Sequence, residues 1–235
     1  MLKSCIYYTD NRLKDPLYSL VQKHLLEAKL PIFSSSLKPI DFGDNEVIKG
    51  ERSYPTMINQ IISCLERSKS MFVFFCEHDV LYPDSHFNFI PDKDDVFYYN
   101  ENVWRWHLKY DYAIQYDRML PLSTLCVNRE FALEHYKFRK KKIEEMGWSD
   151  LRSREPRWAR RIGYEPGTKK KRRGGLTDDN YDTWSSEYPV IDIRHKGTFS
   201  SPKIHLKDFK HPPKWWKEIP VEDVYGWNLR KLLKT

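Results

Sequence analysis

The stretch MFVFFCEHDVLYP, residues 71–83, decides how this chain is read. Its first six residues, Met71 to Cys76, are apolar, rich in β-formers and too few for a helix, so they predict a buried strand. The run stops at Glu77-His78-Asp79, three ionisable side chains in succession. Charges at the end of a buried strand mark either a solvated exit, with Tyr82-Pro83 as the turn, or a site. On this stretch alone both readings stay open.

Working outward toward the N-terminus, KSCIYYT (3–9) predicts a first strand, ending on Thr9-Asp10-Asn11. Asp15-Pro16 predicts a helix start, with Asp15 as the cap and proline at the first helical position. Leu17, Leu20, Val21, Leu25 and Ala28 follow at helical spacing. PIFSSS (31–36) predicts a second strand, and DFGDNEVIKG a loop. Ser53 caps a second helix with Pro55 in its first turn and Met57, Ile58, Ile61, Ile62 and Leu65 on its buried face. This β-α-β rhythm predicts an α/β fold with a mixed, mostly parallel sheet flanked by helices. Ligands of such sheets gather beyond the carboxyl ends of the strands. If strands one and three are parallel neighbours, Thr9-Asp10-Asn11 and Glu77-His78-Asp79 face one crevice.

Toward the C-terminus the rhythm changes. VFYYN (96–100) and YDYAIQY (110–116) predict short strands, a helix starts near Arg129, and YPVIDIRH (188–195) predicts the last strand, ending on His195. Trp215, Trp216 and Trp227 are expected to pin a tail, 201–235, onto the fold. The chain is read as one domain. Residues 1–95 are expected to form one half and 96–200 the other, with a basic, loop-rich insertion at about 137–185.

The chain has 235 residues, 40% of them hydrophobic and 31% charged, enough to fill a core and unlike a disordered composition. Apolar runs reach about six residues against the roughly 20 that span a bilayer, so no membrane insertion and a cytoplasmic location are expected. Cys5, Cys64, Cys76 and Cys126 include no CxxC pair and read as buried thiols. The net charge of +7 is uneven: residues 129–173 hold 16 basic and 7 acidic residues, and 1–100 hold 11 and 14. The basic segment contains Lys140, Lys141 and Lys142, Arg160 and Arg161, and Lys169, Lys170, Lys171, Arg172 and Arg173. Trp148, Trp158 and Tyr164 are interleaved with it. Such a composition suits a polyanion and stacking on an unpaired base, or a solubilising loop anchored by its aromatics.

A carboxylate at a strand end supplies a hard oxygen ligand for Mn²⁺ or Mg²⁺, and Asp79 is the candidate. His195 ends another strand and could add a nitrogen ligand; a lone histidine is otherwise a packing or surface residue. Thr9, Asp10 and Asn11 form either a polar binding edge or an Asx-type turn. Arg52 is a cation for a diphosphate or an exposed loop charge. Gln60 is a ligand donor or a solvent-facing helix residue. For a base acting on an acceptor hydroxyl, Asp178, Asp179, Asp182 and Glu187 lie in the second half. Glu187, just before the final strand, is the expected one.

Four separated pieces agree in order with one family: TDN after strand one, the Arg52-Ser53 helix entry with Gln60 inside the helix, EHDVLYP, and IDIRH. The chain resembles GT-A-fold glycosyltransferases common in phage genomes, in particular those encoded beside TET/JBP-type dioxygenases. The resemblance covers residues 3–90 and 186–196 well and 100–185 loosely. It implies that 1–95 is a nucleotide-sugar-binding half and 96–200 an acceptor half, with a UDP-linked donor and a divalent cation held by Asp79 and His195. Glu77 or His78 would face ribose or sugar, Thr9, Asp10 and Asn11 the nucleobase and ribose, and Arg52 and Gln60 would lie in the same donor site. Glu-His-Asp stands where the family has a DxD motif, which the chain lacks in literal form. The implied acceptor is a 5-hydroxymethylpyrimidine in DNA, including 5-hydroxymethylcytosine. Two other functions stay open: transfer to a polysaccharide or lipid-linked glycan, and a catalytically silent DNA-binding module.

Overall fold

The structure is a computed structural model that describes residues 2–117, 119–148, 180–196, 198, 203–209 and 211–232. Twelve strands among these residues form two sheets. The larger holds seven: β1 (Lys3–Thr9), β2 (Ile32–Ser36), β3 (Asp44–Val47), β4 (Phe72–Glu77), β6 (Phe97–Asn100), β9 (Leu125–Asn128) and β10 (Tyr181–Trp184). Their order is β10-β6-β9-β4-β1-β2-β3, and only β9 runs against the rest. This is the mixed, mostly parallel sheet that the sequence predicts. The smaller sheet holds β5 (Val80–Leu81), β7 (Val103–His107), β8 (Tyr112–Tyr116), β11 (Val190–Arg194) and β12 (Trp216–Pro220), in the order β12-β8-β7-β11-β5.

Period-two alternation sorts the larger sheet into two faces. Ile6, Tyr8, Val73 and Phe75 meet Ile58, Ile61, Ile62 and Leu65 of α2 (Tyr54–Arg67), and Ala132, Tyr136 and Ile143 of α4 (Arg129–Met146). Cys5, Tyr7, Phe74 and Cys76 meet Leu17, Val21 and Leu25 of α1 (Leu17–Glu27) and the smaller sheet. Both faces are buried, so β1 and β4 read as continuous apolar runs. Strands from both sides of residue 95 enter the larger sheet. All four cysteines are buried and unpaired.

Several local expectations shift. Pro16 is the N-cap of α1, and Asp15, one residue earlier, accepts from the Ser19 amide at 3.1 Å. Ser53 does cap α2, accepting from the Thr56 amide at 3.2 Å. The supposed loop at 41–50 contains β3, whose polar, exposed residues give no apolar period. Gly43 leads into it at φ +64°, where an added Cβ would lie 2.4 Å from the Ile32 carbonyl oxygen, so only glycine fits. Tyr82 is buried and takes no part in a turn; its hydroxyl accepts from the Glu77 amide at 3.0 Å. The strand ending at Arg194 is followed by β12. There Trp216 stacks on Tyr116 at 5.8 Å, and Trp227 donates to the Pro189 carbonyl at 2.7 Å. Trp215 is 47% exposed, and its hold on the fold is through its amide, which donates to Asp117 Oδ1 at 3.3 Å. Most of the expected basic insertion, residues 149–179, lies outside the described residues. No helix among the described residues is long and apolar enough to cross a membrane.

Further strand-forming residues escaped the pattern for a specific reason. VWRWH of β7 carries a buried arginine that looks, in sequence, like a solvated charge. α3 (Asp84–Phe87) holds His86, fully buried between Trp184 (5.5 Å, stacked) and Phe74 (5.2 Å, edge-on). Its Nδ1 accepts from Asn100 Nδ2 at 3.0 Å, so the ring is neutral, and burial pushes its pKa down to about 3. The unfolded chain, with an ordinary histidine near 6.5, takes up a proton that the folded chain refuses. Stability is therefore full above about pH 6.5 and falls as pH drops toward 3. Urea titrations across that window should show this slope and should show it flattened in His86→Gln; an unchanged slope would point to other groups.

Candidate active site

The site is set by a corner. β4 ends at Glu77 in the larger sheet, and Val80 already belongs to β5 in the smaller one, so His78 and Asp79 make the turn between sheets. β5 pairs antiparallel with β11, Val80 opposite Asp192, and the Ile193 amide donates to the Asp79 carbonyl at 3.0 Å. That pairing carries the end of β11 past the corner. His195 Nε2 then lies 3.4 Å from Asp79 Oδ2, although 116 positions separate the two in sequence. β1 lies beside β4 in parallel, Tyr8 opposite Glu77, which brings Thr9 and Asp10 to the same edge. The two clusters read from sequence do face one crevice.

The crevice is a cleft of about 470 Å³. Its wall from the larger sheet and α2 includes Thr9, Asp10, Arg52, Gln60, Glu77, His78 and Asp79. Arg105, Asp192, Arg194 and Thr198 line the other side, and Leu122 and Ser123 also line the cleft. One ligand atom from each of His78, Asp79 and His195 falls within a 4.8 Å set. Two donors at about 2.1 Å from a cation, at right angles, stand about 3.0 Å apart, and opposite ones about 4.2 Å. Atoms spread up to 4.8 Å apart would draw in slightly to meet one ion, and the two-nitrogen, one-carboxylate chemistry fits a first-row divalent ion such as Mn²⁺ better than the oxygen-only shell that Mg²⁺ favours.

The electrostatics suit that use. Burial alone would raise the Asp79 pKa, but the hydrogen bond from His195 and the charges of His78, His195 and Arg194 outweigh it and hold the group below the ordinary carboxylate range. Glu77 is pushed up to about 8, chiefly by burial and then by the Asp79 charge; the hydrogen bond from Tyr8 Oη at 2.8 Å opposes this. Two neighbouring carboxyls thus differ in protonation at neutral pH. Asp10 pairs with Arg52, accepts from the Arg12 amide at 3.0 Å and stands 3.9 Å from His78 Nε2.

Other expected residues have different roles in the geometry. Gln60 lines the cleft, but it is buried, not solvent-facing. Its Nε2 donates to the carbonyls of Thr9 at 2.8 Å and Ser35 at 3.2 Å, tying together the ends of β1 and β2. Asn11, at φ 58°, accepts from the amides of Leu37 and Lys38 at 2.8 and 2.9 Å and donates to the Lys38 carbonyl at 3.2 Å. Its amide is therefore spent on bracing a loop and is not aimed at a base. Thr9 accepts from the Asn11 amide at 3.1 Å.

Glu187 is a correction. It is exposed, in a separate pocket with His24, Glu27 and Trp227, at the entry of β11. The cleft lies at the exit of that strand, roughly 20 Å further along an extended chain, so Glu187 does not reach an acceptor there. Asp182 is exposed on β10 at the edge of the larger sheet. Lys140, Lys141 and Lys142 sit on α4 and pair with Glu144 and Glu145 of the same helix, away from the cleft. Arg160, Arg161, Lys169, Lys170, Lys171, Arg172, Arg173, Asp178 and Asp179 lie outside the described residues. Missing from the sequence reading were Tyr8, Arg105, Asp192 and Arg194. Asp192 and Arg194 were visible as the alternate positions of IDIR, sharing one face with each other.

No family model and no curated protein matches the chain. Among solved structures, it is similar to a glycosyltransferase involved in glycosylation of the major capsid of PBCV-1 (TM-score 0.46, 12% identity), over 84% of this chain and 94% of that one. It is also similar to the glycosyltransferase GlyE of Streptococcus pneumoniae TIGR4 in its apo form (0.42, 9%), over 76% and 46%. A third is a Drosophila β1,4-galactosyltransferase 7 mutant in complex with manganese, UDP-Gal and xylobiose (0.35, 14%), over 57% and 52%. All three scores lie below 0.5, too low for any residue's role to be carried across.

If Asp79 holds a cation, Asp79→Asn should raise the Kd for Mn²⁺ at least tenfold while the circular dichroism spectrum stays native. Calorimetric titration with Mn²⁺ measures this; an unchanged affinity would remove Asp79 from the site.

Proposed function

We propose that the protein is a metal-dependent glycosyltransferase that moves a sugar from a nucleotide-sugar donor, UDP-linked, to an acceptor hydroxyl. The observation that carries this reading is the meeting of His78, Asp79 and His195 within 4.8 Å at the corner of a cleft that Asp10 also lines. Asp79, His195 and His78 would hold Mn²⁺ or Mg²⁺. When bound, the ion neutralises the donor's diphosphate and stabilises it as a leaving group.

The chain's own residues supply the rest. Asp10, oriented by Arg52, presents acceptor oxygens to ribose hydroxyls or an imide N–H. Glu77, on the cleft wall beside the corner, offers carboxyl oxygens to a sugar hydroxyl. Arg194, held by Asp192 at 3.2 Å, brings a positive charge beside the diphosphate. In the reaction the bond between the sugar's anomeric carbon and the diphosphate oxygen breaks. A bond to the acceptor oxygen forms, and the acceptor's proton leaves.

The acceptor we favour is a 5-hydroxymethylpyrimidine in DNA. The excess of 16 basic over 7 acidic residues at 129–173 supports a polyanion. So does Trp148, where that segment leaves α4: its ring stacks at 6.1 Å on Tyr54, a residue of the cleft wall. The stack seats that point of the segment beside the cleft.

Thermal shift against nucleotide sugars tests the donor, and mass analysis of hydroxymethylated DNA tests the acceptor. UDP-glucose should raise Tm only with Mn²⁺ present, and the DNA should gain one hexose per modified base. Donor turnover with transfer only to a glycan would replace the DNA acceptor. Salt-sensitive DNA binding with no donor binding would make the chain a silent DNA-binding module and end the transferase reading.

A further inference from the structure

Arg105 enters the cleft from β7, in the middle of the smaller sheet, and the residue is 7% exposed. Its Nε donates to Asp192 Oδ2 at 3.0 Å and its Nη1 to Tyr116 Oη at 2.7 Å. The guanidinium carbon lies 5.6 Å from the centre of the Tyr116 ring. These contacts fix the plane of the group. A guanidinium has five N–H donors; among the described residues no hydrogen bond engages Nη2, although the side chain lines the cleft. The residue is deeply set, yet Nη2 is not among the buried atoms that lack a partner, so an acceptor in the cleft can reach it.

Charge points the same way. Arg105, Asp192 and Arg194 together leave one positive charge on this wall. On the facing wall Asp10 is matched by Arg52. The cation cluster, at the corner after β4, is the natural seat of the diphosphate, and Arg105 is one strand further off, beyond Asp192. Beyond it again, on the same face, come Tyr116 and then Trp216, opposite each other on β8 and β12. Lys203 stands 4.9 Å over Phe209, whose ring meets Trp216 edge-on at 5.8 Å. The track has a cation at each end and three rings packed between them, and it leads away from the donor half. That mixture suits a run of nucleotides; a neutral sugar has no use for the charges.

We propose that Arg105 forms an acceptor-side phosphate subsite, its Nη2 edge receiving a phosphodiester oxygen next to the nucleotide that is glycosylated. The subsite rests on the DNA acceptor proposed above. An arginine fork held in one plane is well suited to a phosphate.

The test uses the full chain, UDP-glucose, Mn²⁺ and an oligonucleotide containing 5-hydroxymethylcytosine. Linkages flanking the modified base are either native or methylphosphonate, which keeps the shape and removes the charge. KM for the oligonucleotide should rise on the order of tenfold or more with the neutral linkages. In Arg105→Gln the ratio of the two KM values should fall toward one. The ratio is read within each protein, and the wild-type series stands alone should the variant not fold. Equal KM values in the wild type would overturn the subsite. So would a ratio that persists in a folded Arg105→Gln, or a loss confined to the KM for UDP-glucose, which would assign Arg105 to the diphosphate. Donor hydrolysis with neither oligonucleotide glycosylated would overturn the DNA acceptor and the subsite with it.

Discussion

Everything in the cleft depends on one chain reversal, the two residues between β4 and β5. A strand that stayed in the larger sheet would carry Glu77-His78-Asp79 into solvent. Crossing to the smaller sheet places β5 against β11, and two residue pairs, Ile191 with Leu81 and Asp192 with Val80, set the register. The Tyr82 hydroxyl, bonded to the Glu77 amide, holds the return limb under the strand it has just left. Asp79 is thereby 5% exposed yet faces His195, and its ionised form is favoured by the groups around it rather than by water.

The same reversal divides the cleft into walls of different chemistry. The larger sheet contributes carboxyl groups: Asp10 tied to Arg52, Glu77 kept protonated by burial, and Asp79 kept ionised. The smaller sheet contributes Arg105 and Arg194 around Asp192, with an unbalanced positive charge. A carboxyl-rich wall gathers a cation and hydroxyl groups; a guanidinium wall gathers anions. A reaction that joins a hydroxyl to a sugar while a diphosphate departs calls for both.

Much of this was readable from the sequence, and the reasons are local. The α/β rhythm, the parallel neighbours β1 and β4 and the Ser53 cap follow from apolar period, strand-forming residues and turn chemistry. Asp79 and His195 could be matched because each closely follows the end of a strand. Glu187 misled because nearness to a strand was taken without its direction: residues before a parallel strand lie at the opposite end of the sheet from those after it. Arg105 was invisible because a lone arginine in an aromatic run gives no sign that its charge is matched by Asp192, 87 positions away. Gln60 and Asn11 were seen as polar groups facing a ligand, but their hydrogen bonds go to backbone. Side-chain amides satisfy main chain as readily as substrate, and sequence does not distinguish the two.

The polar strand β3 has a consequence for how copies of this molecule behave together. It forms one rim of the larger sheet, where an unpaired ladder invites a neighbouring chain to add on. Asp44 and Glu46 stand on that rim, drawn toward Arg67 at 2.9 and 3.2 Å. A second molecule pairing there would bring its own acidic rim against the first and would have to strip water from both. On that side the sheet is guarded against edge-to-edge growth into a fibre.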